Sequence, residues 1–117
     1  MPPSDPEVRV RHMLRVADEL ATFVAGKTYD DMLADRALQY LCIHCLEIIG
    51  EAAAGIDTTY RDRHPHIPWR SATAMRHRLI HGYFDIDLEI VWHAATEDIP
   101  ALVPALQQLL AGSSPSS

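Results

Sequence analysis

The stretch RHRLIHGYFDID, residues 76–87, holds the side chains of this chain that are best suited to chemistry. A histidine titrates near neutral pH and can accept or release a proton. An arginine holds phosphate oxygens in a forked contact and stabilises charge that builds on phosphorus. RNA supplies its own nucleophile, the 2′-hydroxyl, so one histidine and one arginine are in principle enough to cleave RNA without a metal. The same residue types are also common on ordinary helix surfaces, and their spacing alone leaves both interpretations open.

The positions of these side chains around a helix limit which of them can act together. At about 100° per residue, His77 and His81 share a face and Arg78 lies near His81, whereas Arg76 is about 140° away from His81. Arg76 and His81 would meet if the arginine side chain curls around the helix, if the helix unwinds at Gly82, or if the site is shared between two subunits.

The pattern of apolar residues predicts helices throughout the chain. They are expected over residues 4–25, over residues 28–54, from Pro68 to about Gly82, and from a cap at Asp85 or Asp87 to residue 111. Residues 56–67 are polar and punctuated by proline, which indicates a loop or a short helical turn. Pro100 lies inside the last helix and predicts a bend or break there. We therefore expect an all-α fold, an antiparallel four- to five-helix up-down bundle, with one domain over residues 1–111 and a flexible tail over 112–117.

Charge is distributed unevenly along the chain, which has 117 residues and a net charge of −6. That net charge disfavours a general nucleic-acid binder, because such proteins carry a broad basic surface. Residues 58–84, however, contain five arginines and four histidines with Asp62 as their single acidic residue. A basic segment on an acidic body can attract a phosphate locally, or it can pair with acidic groups of the same chain or of a partner.

The two cysteines, Cys42 and Cys45, are expected to lie in the core or in an interface. Their spacing on one helix suits neither a disulfide nor, together with His44, a four-ligand zinc site. We therefore expect no metal or other cofactor. The apolar runs are short and interrupted by charge, so we expect no membrane span. The N-terminus does not read as a secretory signal, so we expect a cytoplasmic protein.

The motif RHRLIHGY resembles the signature of HEPN domains, in which an arginine is followed by four to six residues, a histidine, any residue and a tyrosine. Arg76, His81 and Tyr83 fit that signature. The segments LEIIGEAA, IPW, DIDLEIVW and EDIPAL occur around it in the order seen in HepT-like proteins, and the resemblance covers residues 8–110.

This resemblance implies a helical bundle that dimerises, with the motifs of the two subunits facing a shared cleft. It implies a metal-independent endoribonuclease, the toxin of a toxin–antitoxin pair, whose partner is an MntA-like nucleotidyltransferase that silences it by attaching AMP to the motif tyrosine. Transfer RNA is a reasonable substrate by family, and a larger assembly with the antitoxin is possible.

By the same resemblance, His81 is the catalytic acid or base and Arg76 holds the phosphate, while Tyr83 supports the site and accepts AMP. The residue after the arginine is often asparagine in the family, but here it is His77. His77, Arg78 and Glu51 are candidate substrate contacts, and Glu51 is alternatively an ordinary surface glutamate or one that orients an arginine of the site.

Two other functions remain open on the sequence. The same bundle could be a non-catalytic HEPN module that binds a nucleotide or docks a nucleotidyltransferase and presents Tyr83. A purely structural helical dimer is the third possibility.

Overall fold

The computed structural model describes residues 5–74 and 86–113, and within these ranges the fold is all-α without a strand, as the sequence predicts. The helices are α1 (Pro6–Val24), α2 (Tyr29–Leu33), α3 (Arg36–Ala54), α4 (Thr58–Arg63), α5 (residues 69–74, the end of the first described range), α6 (Leu88–His93) and α7 (Ile99–Ser113). A π-helical turn, Ala94–Asp98, joins α6 to α7. Of the loop or short helical turn predicted for residues 56–67, the structure has a short helix, α4.

The first helix begins at Pro6, two residues after the start of the predicted range, because Asp5 caps it. The Asp5 carboxylate accepts a hydrogen bond from the backbone N–H of Glu7 at 2.9 Å. Pro6 occupies the first position of the helix, where a missing N–H costs nothing. The residue just before Pro6 is therefore the natural cap. The helix ends before Gly26, which has the left-handed φ of 73°.

The single helix predicted over residues 28–54 is wrong, since the chain forms α2 and then starts again as α3. Thr28 and Asp31 cap α2 reciprocally, with Oγ1 of Thr28 accepting from the Asp31 N–H at 3.1 Å. Asp35 caps α3 by accepting from the N–H of Leu38 at 3.1 Å. An aspartate is also compatible with an exposed position inside a helix, so apolar periodicity alone did not reveal this second start. The predicted end of this helical stretch at residue 54 is confirmed.

Helix α3 lies at the centre of the bundle and packs against α1, α2 and α6. The start of α1 and the end of α3 line one groove, so these two helices run antiparallel. Of the described helices, α3 is long and apolar enough to cross a membrane by length and composition, but it is also the helix that contributes most to the core. Those properties are common in the central helix of a folded bundle.

The irregularity expected near Pro100 is confirmed and takes the form of the π-helical turn. There the backbone N–H of Ile99 bonds to the carbonyl of Ala94, five residues earlier. Proline has no N–H and its ring would crowd the carbonyl four residues before it, and the wider turn relieves that crowding. The apolar stripe predicted along this part of the chain is buried on both sides of the turn: Val91, Ala95, Ile99, Leu102, Leu106 and Leu109.

The last helix runs further than expected. Helix α7 includes Gly112 and Ser113, the first two residues of the predicted tail.

Candidate active site

The predicted catalytic motif falls outside the described residues. Arg76, His77, Arg78, His81 and Tyr83 all lie between residues 75 and 85, so their predicted roles stay predictions. The structure does describe the two ends of the chain from which this segment departs and to which it returns.

The chain enters the segment along α5, which is anchored in the core. Trp69 is 7% exposed, and its indole Nε1–H donates to the backbone carbonyl of His64 at 3.0 Å. Ala72, one turn further on, is buried, and its N–H donates to the carbonyl of Pro68 at 3.2 Å. The helix thus starts directly after Pro68, one residue later than predicted, and Trp69 is a core residue.

The chain leaves the segment at Asp87, which caps α6. Its carboxylate accepts from the N–H of Glu89 at 2.9 Å, which confirms one of the two predicted caps; Asp85 is not among the described residues. The ends of the segment lie at one place in the fold, because Ala74 of α5 and Ile90 of α6 line the same cavity of about 210 Å³. The bundle therefore holds the motif segment at both ends, next to the core of α3.

A basic groove lies beside the entry to the segment. We call it the arginine groove; its volume is about 640 Å³, and its walls are Thr58, Arg61, Asp62, Pro65, Trp69 and Arg70. Arg61 donates through Nε to the carbonyl of Ile56 at 3.1 Å, and this bond positions its guanidinium group. Arg63, two residues further along α4, is not part of the groove and lies instead 5.7 Å from the centre of the Tyr60 ring. Sequence reasoning found the charge of this region but not that Arg61 and Arg70 share a groove.

The candidate residue Glu51 lies on an exposed part of the last turn of α3. It lines a second groove, of about 730 Å³, together with Arg9 and His12 of α1. Arg9 donates through Nη1 to the carbonyls of Glu51 and Ala52, each at 3.3 Å. Sequence reasoning missed Arg9, whose place at the end of α3 follows from the packing of two helices that are distant in sequence.

The cysteines are confirmed as core residues. Cys42 is fully buried and Cys45 is 5% exposed, and both are free thiols. Burial raises the pKa of the Cys42 thiol to about 11 and also raises the pKa of Cys45. A protonated thiol is a poor nucleophile and a poor metal ligand, so neither cysteine is a candidate for chemistry.

Three histidines that lie on helices are exposed: His12, His44 and His93. Nε2 of His93 lies 3.9 Å from Oε1 of Glu97, and its Nδ1 lies 3.4 Å from Oδ2 of Asp98. Within residues 5–74 and 86–113, no three histidine, cysteine or acidic side chains gather closely enough to hold a metal ion.

Comparison with known proteins gives the class. Residues 13–109 match the family model described as ribonuclease HepT-like. That range includes the motif and the helices α3, α4 and α5, which contribute residues to the two grooves. The chain therefore belongs to the HepT-like ribonuclease family, as the sequence resemblance predicted.

Named relatives agree with this family assignment. The chain is similar to "Probable ribonuclease HepT" of Thermococcus cleftensis, with 42% identity over 69% of this chain and 74% of the relative. It is 32% identical to "Putative RNase MJ1216" of Methanocaldococcus jannaschii, over 94% of this chain and 91% of the relative. It is 31% identical to "Putative RNase TTE0752" of Caldanaerobacter subterraneus subsp. tengcongensis, over 90% of this chain and 94% of the relative. No solved structure matches the chain significantly. Ribonuclease is the activity that these findings support.

Proposed function

We propose that the protein is a metal-independent endoribonuclease and the toxin of a toxin–antitoxin pair. The single observation that carries this proposal is the family match over residues 13–109, which contains Arg76, His81 and Tyr83 at the spacing of the HEPN signature. The described fold supports it, because both ends of the motif segment are anchored in the bundle.

The proposed chemistry needs only the side chains of the motif. Arg76 binds the phosphate to be attacked and neutralises charge on its oxygens. His81 acts as the acid or base of a transphosphorylation in which the 2′-oxygen loses its proton and bonds to phosphorus. The bond from phosphorus to the 5′-oxygen breaks, and that oxygen takes up a proton. The products are a 2′,3′-cyclic phosphate and a 5′-hydroxyl end.

A composite site between two subunits is part of the proposal. On one helix Arg76 is about 140° from His81, so a homodimer with facing motifs brings an arginine and a histidine together more readily than one subunit does. His77, Arg78 and Glu51 are the further candidate contacts to substrate, and transfer RNA is the candidate substrate class.

Control of the activity is assigned to Tyr83. A nucleotidyltransferase antitoxin of the MntA type would attach AMP to its hydroxyl and place a bulky anion in the cleft, where it repels the phosphates of RNA. The pair would work in the cytoplasm, where its RNA substrates are found.

The deciding experiment is a digest of cellular RNA in EDTA by the wild type and by His81→Ala, after mass spectrometry has shown that Tyr83 is unmodified. Cleavage by the wild type alone, leaving 2′,3′-cyclic phosphate ends, is the expected result. Equal cleavage by both proteins would exclude His81 as the catalytic group. If neither protein cleaves RNA, the ribonuclease proposal is wrong and the non-catalytic module that docks a nucleotidyltransferase takes its place.

A further inference from the structure

We propose that the arginine groove binds the sugar-phosphate backbone of the RNA strand on one side of the cleaved bond, with Arg61 and Arg70 as its phosphate contacts. This inference rests on the proposed function, since it assigns the surface that holds the substrate outside the motif. It names residues that the HEPN signature does not include.

The first argument is the state of the two guanidinium groups. In the described part of the chain, neither Arg61 nor Arg70 forms an ion pair with a carboxylate, although Asp62 also lines the groove. Among the described residues the Arg61 side chain donates one hydrogen bond, through Nε, and a guanidinium group has five N–H donors. Arg70 is exposed, and its side chain makes no hydrogen bond to a described residue. Two cations with spare donors at one groove are suited to an anion with several oxygens.

The second argument is the charge of the surroundings. Residues 58–74 contain three arginines and Asp62 as their one acidic residue, while the whole chain has a net charge of −6. An RNA strand is therefore repelled by most of the molecule and attracted to this region. Its approach is directed to the groove and to the basic motif that follows in sequence.

The third argument is the distance to the motif. Arg70 is six residues before Arg76, and six residues span at most about 20 Å even when fully extended. Successive charges of one strand lie about 3.4 Å apart along a stacked helix and further apart when the strand is extended, so a segment of roughly six nucleotides or fewer covers that length. One short strand can thus contact the groove and the predicted catalytic residues together.

The lining of the groove also includes two largely apolar side chains, the almost fully buried Trp69 and the exposed Pro65. Such a surface accepts sugars and phosphates without reading a sequence. We therefore expect the groove to contribute affinity and little base preference.

The test measures RNA affinity separately from cleavage. A fluorescein-labelled single-stranded RNA oligonucleotide is titrated with the full chain carrying His81→Ala, and the dissociation constant is followed over a range of salt concentrations. Arg70→Gln and Arg61→Gln are added in this background. Each is expected to weaken binding roughly three- to tenfold and to reduce the salt slope by about 0.7, the value for one lost contact to a single strand.

Two matched controls remove the same charge elsewhere. Arg63→Gln changes an arginine of the same helix that faces Tyr60 rather than the groove, and Arg15→Gln changes an exposed arginine of α1. Both are expected to weaken RNA binding clearly less than Arg70→Gln does, because each removes a charge without removing a contact in the groove. A circular dichroism melt checks Arg61→Gln, because Arg61 also bonds to the carbonyl of Ile56; Arg70→Gln has no such bond and decides the question if Arg61→Gln unfolds.

The inference is overturned if Arg70→Gln binds RNA like the parent, or if the two controls lose as much affinity as Arg70→Gln. It is also overturned if Arg70→Gln weakens binding to a nucleotidyltransferase partner and leaves RNA binding intact, since the groove is then a protein-docking surface. The nuclease proposal fails separately. If the wild type binds RNA through the groove but never cleaves it, the inference about the groove stands and the proposed nuclease activity is wrong.

Discussion

The guanidinium group of Arg9 lies directly over Gly55, so that a side chain from the start of α1 packs against the C-terminal end of α3. A Cβ atom at Gly55 would overlap that group. The backbone at Gly55 has an ordinary right-handed conformation, with φ −82° and ψ −4°. A side chain at position 55 would therefore displace the guanidinium end of the flexible Arg9 side chain, while the backbone conformation itself suits any residue. The position of Arg9 also satisfies two carbonyls of the last turn of α3, which a cation near a helix C-terminus does favourably.

Gly55→Ala is expected to destabilise the fold by at most about 1 kcal/mol, because the flexible Arg9 side chain can move aside but its two bonds to the α3 carbonyls are then weakened. Urea unfolding measures the change. Gly112→Ala is the matched control, since a Cβ at Gly112 meets nothing within 4 Å. In the background of Arg9→Met the cost of Gly55→Ala should shrink, and an unchanged cost in that background would mean that the overlap is not with Arg9.

Tyr60→Phe is expected to leave the free energy of unfolding unchanged or to raise it by up to about 1 kcal/mol. The hydroxyl of Tyr60 is buried and has no hydrogen-bond partner in the described part of the chain, and burial raises its pKa. Removing an unsatisfied polar group costs nothing, whereas Tyr60→Ala removes the ring from the core and should cost about 3 kcal/mol or more. Urea unfolding of both variants distinguishes the two effects, and a clear loss of stability in Tyr60→Phe would show that the hydroxyl has a partner.

The stability of the wild type is expected to fall between about pH 9 and 11 because of Cys42. Its pKa rises from the ordinary 9.0 to about 11 in the folded state. Above pH 9 the unfolded chain therefore ionises this thiol while the folded chain keeps it protonated, so the stabilising contribution is complete below pH 9 and lost on the way to pH 11. The loss is on the order of 1–2 kcal/mol.

Unfolding in urea near pH 8 and again near pH 10.5 measures this loss, with Cys42→Ala as the comparison. Cys42→Ala loses packing at every pH. The informative quantity is therefore how much the free energy of unfolding changes between the two pH values in each protein. Identical changes in the two proteins would show that Cys42 does not carry the pH dependence.

Tyr83→Phe is expected to remain unmodified when incubated with a nucleotidyltransferase partner and ATP, because it lacks the acceptor hydroxyl. Intact-mass measurement detects the AMP group, and an RNA digest after the incubation shows whether the variant escapes silencing. Tyr40→Phe is the control, since Tyr40 is 56% exposed on α3 and is not part of the motif. AMP attached to Tyr83→Phe as efficiently as to the wild type would place the modification on another residue.

Much of the fold could be predicted because it depends on local chemistry. The apolar stripe through Leu102 and Leu106 and the cap at Asp87 each follow from a few neighbouring residues. The break before Asp35 could not be predicted in this way, because the same aspartate suits an exposed helical position and only tertiary packing decides between the two. Arg9 over Gly55 and Arg61 beside Arg70 depend on how helices meet, which no spacing in the sequence reveals. The motif itself was recognised by its residue types and order, and its geometry stays a prediction.

The π-helical turn before Pro100 accommodates one residue more than an ordinary α-helical turn. Deleting one residue between Ala94 and Asp98 is therefore expected to restore a regular helix and to leave Val91 of α6 and Leu102 of α7 on the core face, because the wider turn already absorbs the surplus residue. The cost of the deletion would fall on Pro100, whose ring would then crowd the carbonyl four residues earlier. The surplus residue thus lets a proline follow α6 directly, and the point at which α6 begins at Asp87 does not depend on it.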